Sequence, residues 1–89
     1  NYPNPFNSNT VIRYKLSAVR GRPTAVTLQI YNILGQKVKT LVEGRQRPGR
    51  YRIIWNGKNN RGKAVASGIY LFRLKVGKFE IVKKGVLIR

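Results

Sequence analysis

The sequence contains no cysteine and no histidine, and only two of its 89 residues are acidic. Without cysteine there is no disulfide framework, no thiol nucleophile and no thiolate metal site. Without histidine the chain lacks the commonest general base and metal ligand. The two carboxylates, Glu43 and Glu80, fall in different predicted hairpins, which gives little support to a paired-carboxylate mechanism. These absences indicate a protein that is not an enzyme and that uses no cofactor.

Long apolar stretches are also missing. No run approaches the roughly 18 apolar residues of a membrane-spanning helix. A chain of 89 residues has room for one core but not for a large cleft as well. We therefore predict a single domain over residues 1–89 with no small-molecule substrate.

Positive charge is the feature that the sequence has in excess. Nineteen Lys and Arg residues against two acids give a formal net charge of +17. Self-repulsion at this density weakens the compact state unless a counter-charge is supplied. The charge therefore predicts a polyanionic partner such as nucleic acid, an anionic polysaccharide or an acidic cell surface. Supercharging by design is an alternative reading of the same charge.

Apolar and polar residues alternate in most of the chain, which is typical of half-buried strands. The alternating runs are VIRYKL (11–16), AVTLQIY (25–31), KVKTLVEG (37–44), RYRIIW (50–55), VASGIYLFRLKVG (65–77) and KFEIVKKGVLIR (78–89), the last being one strand or two. Turn signals recur every 8 to 12 residues, and we find no convincing 3.6-residue period. We therefore predict an all-β, immunoglobulin-like antiparallel β-sandwich of about seven strands.

Three local features refine this prediction. The opening NYPNPFN carries two prolines, and we predict an extended, Pro- and Asn-rich lead-in over residues 1–10. Trp55 is expected to pack against aliphatic neighbours, since no disulfide is present. Gly85 is expected to mark a β-bulge.

The order of several motifs is similar to that of a known family. NYPNPFN, VIRYKL, VTLQIYNILGQKVKTLV, GRYRIIWNGKNNRGKAVASGIYLFRL and KKGVLIR follow one another along the chain. This order resembles the type A C-terminal sorting domain of type IX secretion, and it also resembles the immunoglobulin-like domain of flagellar hook-capping proteins. The resemblance implies a seven-stranded sandwich on an exported protein, recognised by an outer-membrane secretion machinery and located outside the cell or on its surface.

The resemblance also implies a sorting signal at the C-terminal end. The matching residues are Lys83, Lys84, Gly85, Val86, Leu87, Ile88 and Arg89. In the loop WNGKNNRGK this chain departs from the family, whose members commonly carry acids where Asn56, Asn59 and Asn60 stand here. Amides beside three cations are a poor site for Ca²⁺, so we predict no metal.

The cations predicted to bind a polyanion cluster in turns and on the solvent sides of strands. They are Arg20, Arg22, Arg45, Arg47, Arg50, Arg52, Lys58, Arg61, Lys63, Arg73, Lys75 and Lys78. Ten of the 19 cations in the chain are Arg, whose forked donors suit phosphate oxygens. A single surface cation is usually only a solvated side chain, so the prediction rests on the whole set.

Two functions follow from these observations. The charge favours an extracellular domain that binds or coats a polyanion, most simply double-stranded DNA, through phosphate contacts without sequence preference, as a homo-oligomer or filament. The resemblance favours a sorting and surface-attachment domain whose charge is incidental.

Overall fold

The computed structural model describes residues 9–17 and 22–88. Most of the predicted lead-in, together with Arg20 and Arg89, lies outside these residues. The strands are β1 (Thr10–Leu16), β2 (Thr24–Asn32), β3 (Lys37–Gln46), β4 (Gly49–Trp55), β5 (Gly68–Val76) and β6 (Phe79–Leu87). In the described ranges no helix is long and apolar enough to cross a membrane.

The strands form two antiparallel sheets. β1 pairs with β4 in a two-stranded sheet, and the other strands form a four-stranded sheet in the order β3-β2-β5-β6. The all-β, immunoglobulin-like sandwich predicted from the alternation is therefore confirmed, and β2 and β3 are adjacent antiparallel strands in it.

The core lies between the sheets, where each strand directs the side chains of alternate positions. Its buried cluster consists of Ile30, Trp55, Tyr70 and Leu87, one residue from each of four strands. Two register shifts between β2 and β3 leave Leu41 and Val38 as extra residues on β3. Both of these pack against the cluster, as expected of bulges that redirect a side chain.

The loop over residues 56–67 is held in place by the core and by its own asparagines. Trp55 donates its indole N–H to the carbonyl of Lys58 at 2.9 Å, and Tyr70 donates its hydroxyl to the carbonyl of Ala66 at 2.6 Å. The side-chain oxygen of Asn59 accepts the backbone N–H groups of Arg61 and Lys63. The predicted loop is therefore an ordered segment whose cations project from a fixed backbone.

Three predictions about the strands are corrected by the structure. The described residues form six strands instead of seven, because 79–87 is one continuous strand. Gly85 is not a bulge, since the register between β5 and β6 runs unbroken through it. A Cβ at this position would lie 2.7 Å from Cε1 of Phe72, so glycine makes room for that ring. Trp55 packs edge-on against the rings of Tyr70 and Phe72, and its neighbours are therefore not only aliphatic.

Candidate polyanion-binding surface

Four cations lie together on the outer face of the two-stranded sheet, and we call them the cation quartet. Arg13 on β1 lies directly opposite Arg52 on β4, and Lys15 lies directly opposite Arg50. All four side chains are exposed. Opposed residues have Cβ atoms about 5 Å apart, and residues two apart along a strand are separated by about 6.6 Å. The quartet therefore concentrates four positive charges in a small patch.

The quartet lacks a compensating acid in its own sheet. Neither β1 nor β4 contains Asp or Glu. Like charges directly opposed on a sheet are destabilising, and the quartet contains two such pairs. A bound anion removes this cost, which makes the patch a suitable site for one.

Both carboxylates of the chain lie on the opposite side of the sandwich. Thr27 on β2 is registered with Glu43 on β3 and with Lys75 on β5, and Lys75 is registered with Glu80 on β6. These four residues form one row across the outer face of the four-stranded sheet. The two outer faces therefore differ in charge, since the charged residues of one are all cations and the other presents cations among acids.

Arg73, on the outer face of the four-stranded sheet, is already paired with one of the two acids. It forms an ion pair with Glu80, and its Nη1 donates to the hydroxyl of Tyr31 at 3.4 Å. These hydrogen bonds, to Tyr31 first and Glu80 second, raise the pKa of Arg73 above its ordinary value. Arg73 is charged but already partnered, which makes it a weaker candidate for contacting an external anion.

The other predicted cations are divided among three places. Arg45 and Lys75 lie on the strands of the four-stranded sheet, on its outer face. One end of the sandwich carries Arg22, Arg47 and Lys78, and the loop at the other end carries Lys58, Arg61 and Lys63. The structure therefore brings Arg50 and Arg52 together with each other, but it does not gather the predicted set on one surface.

Sequence reasoning missed half of the quartet. Arg13 and Lys15 do not belong to the set of cations predicted from the sequence to bind a polyanion. Their alternation with Ile12, Tyr14 and Leu16 was the available signal. What it could not show was that β1 pairs with β4, which places them beside Arg50 and Arg52.

Two tyrosines lie on the inner face of the same sheet, on the side opposite the quartet. The rings of Tyr14 and Tyr51 are stacked, with centroids 5.2 Å apart. The Tyr14 hydroxyl donates to Oε1 of Gln46 on β3 at 2.6 Å, and the Tyr51 hydroxyl donates to the carbonyl of Arg47 at 2.6 Å. The first bond ties the two sheets together, and the second ties β4 to the turn before it.

The hydroxyl of Tyr14 predicts a measurable pH dependence of stability. Burial raises the pKa of Tyr14 above its ordinary value of 10.0. The folded state therefore holds this proton more tightly than the unfolded state, and the stabilisation present below pH 10 is lost as pH rises through the raised pKa. We expect Tyr14→Phe to lower the free energy of unfolding by about 1 kcal/mol near neutral pH. This difference in the free energy of unfolding between the two proteins should narrow above about pH 10.

Urea unfolding of both proteins at several pH values measures that gap. The titration of the many lysines is common to the two proteins and cancels in the difference. A gap that widens with rising pH would contradict the interpretation of Tyr14 as a buried donor.

The asparagines of the loop over residues 56–67 accept hydrogen bonds from backbone N–H groups. The Oδ1 atoms of Asn56 and Asn60 accept the N–H groups of Lys58 and Thr40 respectively, as Oδ1 of Asn59 does for two further N–H groups. Across residues 9–17 and 22–88 there is no cluster of acidic side chains that could hold a metal ion.

The fold and this surface define a basic, immunoglobulin-like β-sandwich domain. A family model described as FlgD Ig-like domain matches residues 9–78, a range that contains β1 to β5 and ends in the turn before β6. The chain belongs to this family, a family of structural, non-catalytic domains. No significant match was found among curated proteins or solved structures.

Proposed function

We propose that this domain is a non-catalytic binding module that holds a polyanion, double-stranded DNA in the first instance, through phosphate contacts centred on the cation quartet. The observation that carries the proposal is the quartet itself. It consists of two directly opposed pairs of like charge on a sheet whose strands contain no acid. The repulsion within each pair destabilises the folded state. Phosphates bound against the quartet remove that repulsion.

Phosphate contact without sequence preference is the mode that this surface supports. Three members of the quartet are Arg, whose planar donors match phosphate oxygens. The chain offers no helix for the major groove in its described part, and the ring pairs around Trp55 lie in the core. The cations at the two ends of the sandwich add contacts when a long polymer runs past the domain.

Fluorescence anisotropy with a short DNA duplex, repeated over a series of salt concentrations, tests the proposal. With 6 to 10 phosphate contacts, affinity should fall about 10³- to 10⁵-fold between about 50 and 200 mM salt. A second duplex of unrelated sequence should bind equally well. Absence of binding at the lowest salt concentration, or a flat salt dependence, would rule the proposal out, and preference for heparin over DNA would redirect it to polysaccharide.

A second candidate function is export and surface attachment, as in type IX sorting domains. The observation that favours it is the exposure of Lys83, Lys84, Val86 and Ile88 at the end of the chain, where a secretion machinery could contact them. Leu87 is buried in the core, so its place in the segment is structural. A reporter fused to the domain should leave a host that has type IX secretion, and retention of the reporter in the cell would exclude this function.

A further inference from the structure

β6 is a long strand at the edge of the four-stranded sheet formed by residues 9–17 and 22–88. It forms the last position of the four-stranded sheet, and no strand of the described chain lies beyond it. It has nine residues, no proline and an unbroken register with β5. Phe79, Ile81, Val82 and Val86 are each more than half exposed. A long hydrophobic edge with free backbone groups is a template for pairing with another strand.

We propose that β6 pairs with β6 of a second copy of this chain, antiparallel and centred on Val82. This inference is independent of polyanion binding. It rests on the charges within β6, which form complementary pairs in this register only.

A two-fold axis perpendicular to the sheet keeps the outer faces of both copies on the same side. Each residue then lies opposite the residue at the same distance on the other side of the centre. Centring on Glu80, Lys83 or Lys84 places a charge against its own copy, and centring on Ile81 places Lys78 against Lys84. Like charges directly opposite each other are destabilising.

Centring on Val82 avoids all of these conflicts. Glu80 of each copy then lies opposite Lys84 of the other, which gives two complementary pairs on the outer face around a contact between the two Val82 side chains. On the inner face Phe79 lies opposite Gly85 of the second copy. Glu80 contacts Arg73 through Oε2, so the carboxylate can use Oε1 for the new lysine.

The net charge of +17 opposes this association at low salt. Because salt screens exposed charges with a Debye length of about 3 Å at 1 M against about 10 Å at 0.1 M, self-association should increase with ionic strength. DNA binding has the opposite salt dependence, so the two activities can be measured and can fail separately.

Sedimentation velocity across a concentration series, in about 0.1 M and about 1 M salt, tests the pairing. Wild type should form a dimer that strengthens with salt. Val82→Lys places two lysines face to face at the centre and should weaken the dimer at least about tenfold. Ile33→Lys adds the same charge at a position that is 69% exposed in the turn after β2, and should dimerise as wild type does.

A charge exchange tests the register. Glu80→Lys and Lys84→Glu should each lose the homodimer, because each places like charges opposite one another. Mixed together, the two variants restore both complementary pairs and should form a heterodimer. Native mass spectrometry resolves the heterodimer when one variant is labelled with ¹⁵N, because the substitutions alone hardly change the mass. The double variant Glu80→Lys/Lys84→Glu keeps the net charge and should both dimerise and bind DNA as wild type does.

Circular dichroism of each variant establishes that it is folded before association is compared. A wild type that stays monomeric at every salt concentration overturns the proposal. So does a dimer that tolerates Val82→Lys, or a mixture of the two charge variants that forms no heterodimer.

Discussion

Replacing the cation quartet with glutamine should lower the affinity of this protein for duplex DNA by about 10³- to 10⁴-fold at about 0.1 M salt. The variant carries Arg13→Gln, Lys15→Gln, Arg50→Gln and Arg52→Gln. Each phosphate neutralised contributes about 0.9 to the slope of log affinity against log salt. Loss of four contacts should therefore reduce that slope by about 3.6, and anisotropy titrations at several salt concentrations measure both quantities.

The same variant should be more stable than wild type at low salt. Two directly opposed like-charge pairs disappear from β1 and β4, and their mutual repulsion disappears with them. A thermal unfolding midpoint that rises while DNA affinity falls would show that binding is lost because of the charges and not because of unfolding. A midpoint below that of wild type would contradict our account of the quartet as strained in the free protein.

A matched control removes four cations from the other outer face. Arg45→Gln, Arg73→Gln, Lys75→Gln and Lys84→Gln give the same net charge as the quartet variant. This face contains Glu43 and Glu80, so its positive electrostatic potential is weaker than that of the face with the quartet. It is therefore not the expected contact surface for DNA. The control should lose no more than about tenfold in affinity, and an equal loss in both variants would mean that net charge alone determines binding.

The alternation of residues was sufficient to predict much of the sandwich. Side chains of a strand alternate between faces, so the pattern of VIRYKL predicts that Ile12, Tyr14 and Leu16 face inward. In the same way the pattern of RYRIIW predicts that Arg50 and Arg52 face solvent. The alternation could not predict which strands pair, because β1 and β4 are separated along the chain by two strands of the other sheet. The quartet exists only as a consequence of that pairing.

Glycines were harder to interpret from the sequence. A glycine within a strand favours a bulge, and Gly85 led to that prediction. The actual reason for glycine is the ring of Phe72 on the neighbouring strand, which fills the position of the missing side chain. A close approach between strands depends on their register, and the register is a property of the folded sheet.

The surroundings of Trp55 could be predicted in part. The alternation in VASGIYLFRLKVG predicts that Tyr70 and Phe72 lie on one face of the strand, and in β5 both face the core. That these rings meet Trp55 follows from the packing of the two-stranded sheet over the four-stranded one. The predicted immunoglobulin-like fold favours a buried tryptophan, but the expectation of aliphatic neighbours is wrong in part, since two of the neighbours are aromatic.

Trp55→Ala should leave the protein largely unfolded at low salt. Trp55 is fully buried, and its ring centroid lies 5.2 Å from that of Tyr70 and 5.9 Å from that of Phe72. Removal of a buried tryptophan costs about 3 to 5 kcal/mol. A domain of this length has a total stability of about 4 to 13 kcal/mol, and the charge repulsion of the free protein places it toward the lower end.

Trp55→Phe is the control, because it keeps an aromatic ring and removes the indole N–H that bonds to Lys58. It should cost less than the alanine variant and leave the fold in place while loosening the loop over residues 56–67. Far-UV circular dichroism with urea unfolding measures both variants without relying on the fluorescence of the single tryptophan.

DNA should restore structure to Trp55→Ala if the polyanion stabilises the folded state. A ligand at about 100 times its dissociation constant adds about 2.7 kcal/mol to the stability of the state that binds it, which offsets most of the smaller estimated loss. Salt should give a weaker recovery, because it screens the repulsion without making contacts. A Trp55→Ala variant as stable as wild type would contradict the central position of this residue in the core. If salt restores as much folded structure as DNA does, the folded domain requires screening of its charges and not a bound polymer.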